Sequence, residues 1–261
     1  MTAVHKPGPR HTGVRGVWIP RQHGAWAMLL VPLLLGVAAS RPSAWQAILA
    51  CAAFAGYLAS AAVQGWRRAR QAPEYRRPLA AYGVLFAVLG MVLVAAFPRL
   101  LLALIVVLPA SLVIFSGARP GTRRDLWNSL AQVGQALVLV PAAAYVSGDF
   151  DVRTVATYAI VAGAYLVGTV LVVRSVLRER GNTAFAAASA VFHVVAAGAA
   201  VLLLPMGYAL VAGALAARAI ALPLVQQGLA SGPRRLRPIH VGIVEIVASV
   251  AVVVVALAQR P

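Results

Sequence analysis

Three ionisable residues lie deep inside long apolar stretches of this 261-residue chain: His193, Arg218 and Glu245. Buried in hydrocarbon, an ionised group costs several kcal/mol unless it is paired or hydrated, so each is a candidate for function. His193 stands about ten residues into its stretch, on the order of 15 Å deep at the helical rise, with Ser189 one turn before it. Arg218 is near the middle of the next stretch, and Glu245, the one acid within the apolar region, is one to two turns into the last. His193 and Glu245 are the candidate catalytic groups, since an imidazole and a carboxylate can pass a proton. Arg218 with Glu245 can equally be an internal ion pair between adjacent helices, and His193 a satisfied structural residue.

Amides form a second set. Asn128, Gln132 and Gln135 follow the i, i+4, i+7 spacing of one helix face, and Ser60 and Gln64 share another that runs toward Arg67 and Arg68. These faces would line a cavity open on the charged side, or hydrogen-bond to neighbouring helices. Arginines form the third set. Arg67, Arg68 and Arg77 fall in one polar gap and Arg174, Arg178 and Arg180 in another, with Arg21 and His23 at the first apolar stretch. Guanidinium forks bind phosphate or carboxylate without a metal. The same residues also serve as topology signals or contacts to lipid phosphate.

The stretches that carry these residues set the architecture. Hydrophobic residues make up 61% of the chain and mean hydropathy is +0.84. A bilayer core about 30 Å thick needs roughly 20 apolar helical residues. Nine such stretches are read at 24–40, 44–65, 79–97, 100–116, 126–147, 152–173, 183–204, 206–227 and 239–258. The fold class is therefore all-α, a polytopic membrane bundle, with a polar cytoplasmic tail over 1–21 and a single transmembrane domain over 22–261. A cleaved secretion signal is not expected, because further spans follow the first immediately. Cys51 lies within the second stretch and has no cysteine to pair with.

The net charge of +17 would suggest nucleic acid in a soluble protein, so its placement has to decide. One set of alternate gaps holds Lys6, Arg10, Arg15, Arg21, Arg67, Arg68, Arg70, Arg76, Arg77, Arg119, Arg123, Arg124, Arg174, Arg178, Arg180, Arg234, Arg235 and Arg237, eighteen in all. The other set holds Arg41, Arg99, Arg153 and Arg260, four in all. Short basic loops stay cytoplasmic, which puts the amino terminus inside and, after nine spans, the carboxyl terminus outside the cell membrane. The partners expected are membrane lipids and an anionic amphiphilic ligand, not nucleic acid. Trp26, Trp45, Trp66 and Trp127 sit near span ends, where an indole is amphipathic enough to anchor.

Small residues are dense within the spans, as at Gly56, Ala162-Gly163-Ala164 and Ala186-Ala187-Ala188-Ser189, and allow close helix approach. Pro32, Pro109, Pro141, Pro205 and Pro223 predict kinks or breaks. No HExxH, GxSxG or Walker lysine loop is present, and a bis-histidine haem site is poorly supported.

The run Arg21-Gln22-His23-Gly24-Ala25-Trp26-Ala27-Met28, followed by Leu29-Leu30-Val31-Pro32, resembles the opening signature of the YwiC-like family of bacterial membrane proteins. Arg76-Arg77-Pro78-Leu79 and Arg178-Glu179-Arg180-Gly181-Asn182 fit the same family, so the resemblance covers the chain after its tail. It brings no established activity with it. More distantly, nine helices with the amino terminus inside resemble the UbiA superfamily of intramembrane prenyltransferases, whose loops after helices two and six carry Asp-rich motifs. Arg77-Pro78-Leu79-Ala80 stands where the Arg-Pro-Leu turn after the first motif would be, and Gly181 where the second motif closes. The first motif's acidic positions become Ala61, Gln64 and Arg68, and the second's run from near Val173 to near Leu177, so neither motif survives.

Prenyl transfer of that kind relies on Mg²⁺ held by carboxylates against a diphosphate. Glu74 and Glu179 are the only acids in the two loops and cannot rebuild both clusters. No metal site and no cofactor is expected. The resemblance implies a UbiA-like cavity in which arginines hold an anionic head directly and the apolar bundle takes an isoprenoid or acyl tail. Two other classes stay open: a transporter or flippase for an anionic metabolite, with Arg218 and Glu245 on its pathway, and a non-catalytic partner within a larger membrane complex.

Overall fold

Backbone in lipid has no water to bond with, so an apolar run of membrane length closes its hydrogen bonds internally as a helix. The computed structural model describes residues 17–19, 23–116, 123–230 and 236–259. Arg21, nearly all of the tail over 1–21, and Arg119, Arg234, Arg235 and Arg260 lie outside them, as do the side chains of His23, Arg123 and Arg124. The described helices are α1 (His23–Ala38), α2 (Ala44–Arg68), α3 (Arg76–Ala96), α4 (Leu104–Phe115), α5 (Arg123–Leu137), α6 (Leu139–Ser147), α7 (Val152–Leu177), α8 (Thr183–Leu203), α9 (Met206–Ala230) and α10 (Pro238–Ala258). Short 3₁₀ segments at Pro73–Tyr75 and Pro98–Ala103 lead into α3 and α4. The protein is a multi-pass helical membrane bundle.

Among the described residues, eight helical stretches have spanning length and hydropathy. The first expected span is different, because α1 has 16 residues and reaches only about 24 Å at the helical rise. It is also packed centrally, with Val31 and Leu35 at 2% and 0% exposure. The expected set of nine thus corresponds to eight long helical stretches and a shorter buried helix.

Proline acts where the chemistry requires. Pro141 lacks an N–H and its ring clashes with the carbonyl four residues back, Leu137. The fifth stretch breaks there into α5 and α6, with Val138 between them. Pro32, Pro109 and Pro223 remain inside α1, α4 and α9.

Polar caps set the ends of the long helices. Asp151 Oδ2 accepts from the Thr154 amide at 2.7 Å and so starts α7. Asn182 Oδ1 accepts from the Phe185 amide at 3.1 Å and starts α8. Gly148, at φ 79°, ends α6 in the left-handed conformation that glycine adopts without strain.

α7 is the axis of the bundle. Tyr158, Ala162 and Leu166 on it are fully buried and pack with Leu35 of α1, Val140 of α6 and Ala256 of α10. The Tyr158 hydroxyl donates to the Ala256 carbonyl at 2.6 Å. At Gly36 a Cβ would lie 2.6 Å from the Val140 carbonyl oxygen, so this glycine permits the close crossing of α1 and α6. The hairpins α2/α3, α4/α5 and α8/α9 pack pairwise around this centre. Leucines such as Leu112 and Leu202 point outward, as lipid-facing residues do.

Candidate functional site

Helices α7 to α10 each carry polar groups on one face at mid-length. On α7, Tyr165 and Thr169 are one turn apart; on α10, Glu245 and Ser249 have the same spacing. Arg218 Nη1 donates to Glu245 Oε1 at 2.7 Å, with the two side chains 8% and 7% exposed. Thr169 donates to the other carboxylate oxygen at 2.8 Å. The hydroxyls of Tyr165 and Ser249 lie 2.7 Å apart and reach the Glu245 carbonyl at 3.1 and 2.8 Å. One hydroxyl, that of Thr169, thus braces the carboxylate of the ion pair, while those of Tyr165 and Ser249 hold the backbone carbonyl of Glu245.

His193 of α8 is buried, with Nδ1 2.7 Å from the Ser189 carbonyl oxygen. A carbonyl can only accept, so Nδ1 carries the proton and Nε2 of the neutral ring is left as an acceptor. Nε2 makes no hydrogen bond and faces Gly168 of α7, where a Cβ would stand 2.7 Å from it. Arg218 Nε and Nη2 and Ser189 Oγ are likewise buried without a hydrogen-bond partner. Buried polar atoms without partners are uncommon and cluster where a site does something other than pack.

A cavity of about 290 Å³ adjoins this cluster. Tyr165 and His193 belong to its wall, and the remainder is almost wholly apolar, including Ala196, Leu203, Val211 and Leu215. Apart from Phe192, its further residues on α8 follow His193 in sequence and those on α9 precede Arg218, so the charged groups stand toward one end of it.

The arginines outside the bundle's centre are arranged otherwise. Arg174 is buried and pairs with Asp125 at 3.2 Å and Glu179 at 3.0 Å; Arg178 also pairs with Asp125. Asp125, at the start of α5, therefore ties that helix to α7. Hydrogen bonds from Asn182 and Arg174 hold the Glu179 carboxyl below the usual carboxylate range. Arg180 Nε donates to the Val176 carbonyl. On the other loop Arg67 donates to the Phe115 carbonyl and Arg68 to that of Gln64, while Arg77 is exposed in the first turn of α3. One loop is thus fastened to α4 and the other to α5.

Among the amides, Gln135 donates to Ser111 Oγ at 2.7 Å and to the Val107 carbonyl at 3.2 Å, joining α5 to α4. Gln64 donates weakly to Ser60 at 3.4 Å. Asn128 Oδ1 is buried without a partner, and Gln132 is half-buried on the same face. Sequence reasoning singled out Arg218, Glu245, His193 and Ser189 but missed Tyr165, Thr169, Ser249 and Asp125. The i, i+4 spacing of Tyr165 with Thr169 and of Glu245 with Ser249 was the available signal. Among the described residues, no three of His, Cys, Asp and Glu gather as a metal site.

The profile of the family described as YwiC-like protein matches residues 19–145. A Bacillus subtilis (strain 168) protein described as "Uncharacterized protein YwiC" is 31% identical over 180 residues, 67% of this chain and 74% of the relative. A Haemophilus influenzae protein described as "Uncharacterized protein" is 27% identical over 184 residues, 69% of this chain and 75% of the relative. No solved structure matches.

Proposed function

The chain belongs to the YwiC-like family, and from that premise we propose that it binds or modifies an anionic amphiphile of isoprenoid or lipid type within its membrane bundle. The observation that carries this reading is the cavity of about 290 Å³, apolar along its walls and ending on His193 and Tyr165 beside the buried Arg218–Glu245 pair. Ligand sites have this character, mostly apolar with a few convergent polar groups, and the volume stands at the lower edge of their range of about 300–1,000 Å³. The apolar walls take the tail, and His193 Nε2 and Glu245 are the groups placed to move a proton if the ligand is changed chemically.

On this reading the scaffold is UbiA-like and works in the cell membrane, with the basic loops cytoplasmic, the amino terminus inside and the carboxyl terminus outside. The arginine bias between alternate gaps supports that orientation. Arg67, Arg68 and Arg77 would meet anionic headgroups at the surface, while Arg174 and Arg178 act through Asp125.

The test is native mass spectrometry and lipidomics of the protein purified in mild detergent. An amphiphile retained by the wild type and lost on Ala196→Phe, which fills the cavity one turn beyond His193, is the expected result. Retention of the same molecule in a folded Ala196→Phe protein would defeat the proposal. The mid-membrane ion pair favours a second reading, transport of an anionic metabolite. Proteoliposome uptake abolished by Arg218→Ala would select it.

A further inference from the structure

The cavity-facing stripes of all four helices run into the polar cluster. Val211, Leu215 and Arg218 follow i, i+4, i+7 on α9; Glu245, Ser249 and Val252 do so on α10; Ser189, His193 and Ala196 do so on α8; Val161, Tyr165 and Gly168 do so on α7. Val211, Leu215, Val252, Ala196 and Val161 line the cavity. The unpaired atoms of Arg218 and Ser189 thus lie on the continuation of these stripes, one turn beyond the wall residues Leu215 and His193.

A guanidinium offers two N–H groups side by side on its Nε–Nη2 edge, the fork that matches a carboxylate. Glu245 takes Nη1 of Arg218, whereas Nε and Nη2 are both buried and without a hydrogen-bond partner. One complete bidentate edge therefore remains within a side chain that is only 8% exposed. From this we infer that the ligand is a long-chain carboxylate, its two oxygens on the Nε–Nη2 edge of Arg218 and its alkyl or isoprenyl chain in the cavity. The inference rests on the amphiphile reading above and narrows it to a head group.

Charge favours a carboxylate over a phosphate monoester. Arg218 and Glu245 cancel, and His193 in its neutral form spends its one N–H on the Ser189 carbonyl. A carboxylate adds a single negative charge, which one proton taken up by His193 or Glu245 cancels; a phosphate monoester adds up to two, at a depth where uncompensated charge is strongly disfavoured. The groups facing this proton are Tyr165 and Thr169 from α7, Ser189 from α8, Arg218 from α9 and Ser249 from α10. Ser189 Oγ and His193 Nε2 can donate to and accept from the acid's oxygens as that proton settles.

The experiment measures binding of radiolabelled decanoate and of 1-decanol to the full chain in nanodiscs. Decanoate is expected to bind more tightly than decanol, and Arg218→Gln to weaken decanoate by at least about tenfold while leaving decanol unchanged. Because Arg218→Gln strands Glu245, the charge-neutral pair Arg218→Gln/Glu245→Gln is measured beside it and should show the same selective loss. Equal binding of decanoate and decanol, or undiminished decanoate binding in the folded double variant, overturns the carboxylate assignment. Ala196→Phe separates the two readings: if it abolishes decanol binding the cavity reading stands even where the carboxylate assignment fails, and if it changes neither probe both fail.

Discussion

Arg218 and Glu245 meet at 2.7 Å between α9 and α10, each less than one-tenth exposed, and Thr169 of α7 holds the second carboxylate oxygen at 2.8 Å. Such a pair is costly to bury and far costlier to break. Removing one partner leaves an uncompensated charge, so Glu245→Ala is expected to destabilise the protein by about 3–5 kcal/mol. The double variant Arg218→Leu/Glu245→Leu should recover most of that loss, because neither charge then remains. Thermal unfolding in detergent, arranged as a double-mutant cycle, reads the difference. A double variant no more stable than Glu245→Ala would contradict it.

Gly168 makes room for His193. A Cβ at that position would stand 2.7 Å from Nε2 and 3.2 Å from Cε1 of the imidazole. The ring is held by its bond to Ser189 on its own helix, so it cannot swing away freely. Gly168→Ala should therefore cost about 1–3 kcal/mol through overpacking. In a His193→Ala background the same substitution should be close to neutral, and a cost that persists there would show that the ring is not what the glycine accommodates.

These relationships were unequally legible in the sequence. Two opposite charges inside apolar stretches announce themselves, and so the Arg218–Glu245 pair was readable before any coordinates. Pro141 likewise marks the break at Val138, because a missing N–H and a ring clash act on the same chain segment. Tyr165, Thr169 and Ser249 were not readable in the same way, since a hydroxyl in a span is as ordinary as packing requires. They gain meaning only from which helices pack together. Asp125 stood at a span edge among arginines, where counting charges per loop cannot show that it folds against Arg174 and Arg178 of a different helix. The bounds of α1 were nearly readable, 24–40 against 23–38, but its central burial was not, because hydropathy responds to the protein core as it does to lipid.

Asp125 is the acid that two arginines share, and it is itself only 13% exposed. Asp125→Asn keeps the shape and removes the charge, leaving Arg174 with Glu179 alone. The expected loss is about 1–3 kcal/mol, as for a buried charged group deprived of a hydrogen-bond partner. Adding Arg178→Gln should cost little further, because that guanidinium is largely exposed and its partner is already gone. A further loss as large as the first would mean that Arg178 stabilises the fold by a route other than Asp125.

Acid should weaken the ends of α7. The Asp151 carboxyl is held below its ordinary range by the Thr154 amide and hydroxyl, and that of Glu179 by Asn182 and then Arg174. A carboxyl whose folded-state pKa is depressed binds its proton more weakly folded than unfolded. Its contribution to stability is fully present above the unfolded values of about 3.9 for Asp and 4.3 for Glu, and is lost as pH falls through the lower folded values. Melting temperature should therefore be flat through neutral pH with respect to these two groups and decline below about pH 4. Asp151→Asn keeps a capping oxygen without the charge and Glu179→Gln keeps the shape, so the double variant should start lower at pH 7 and decline less steeply. An identical acid limb in wild type and double variant would show that other carboxyls govern it.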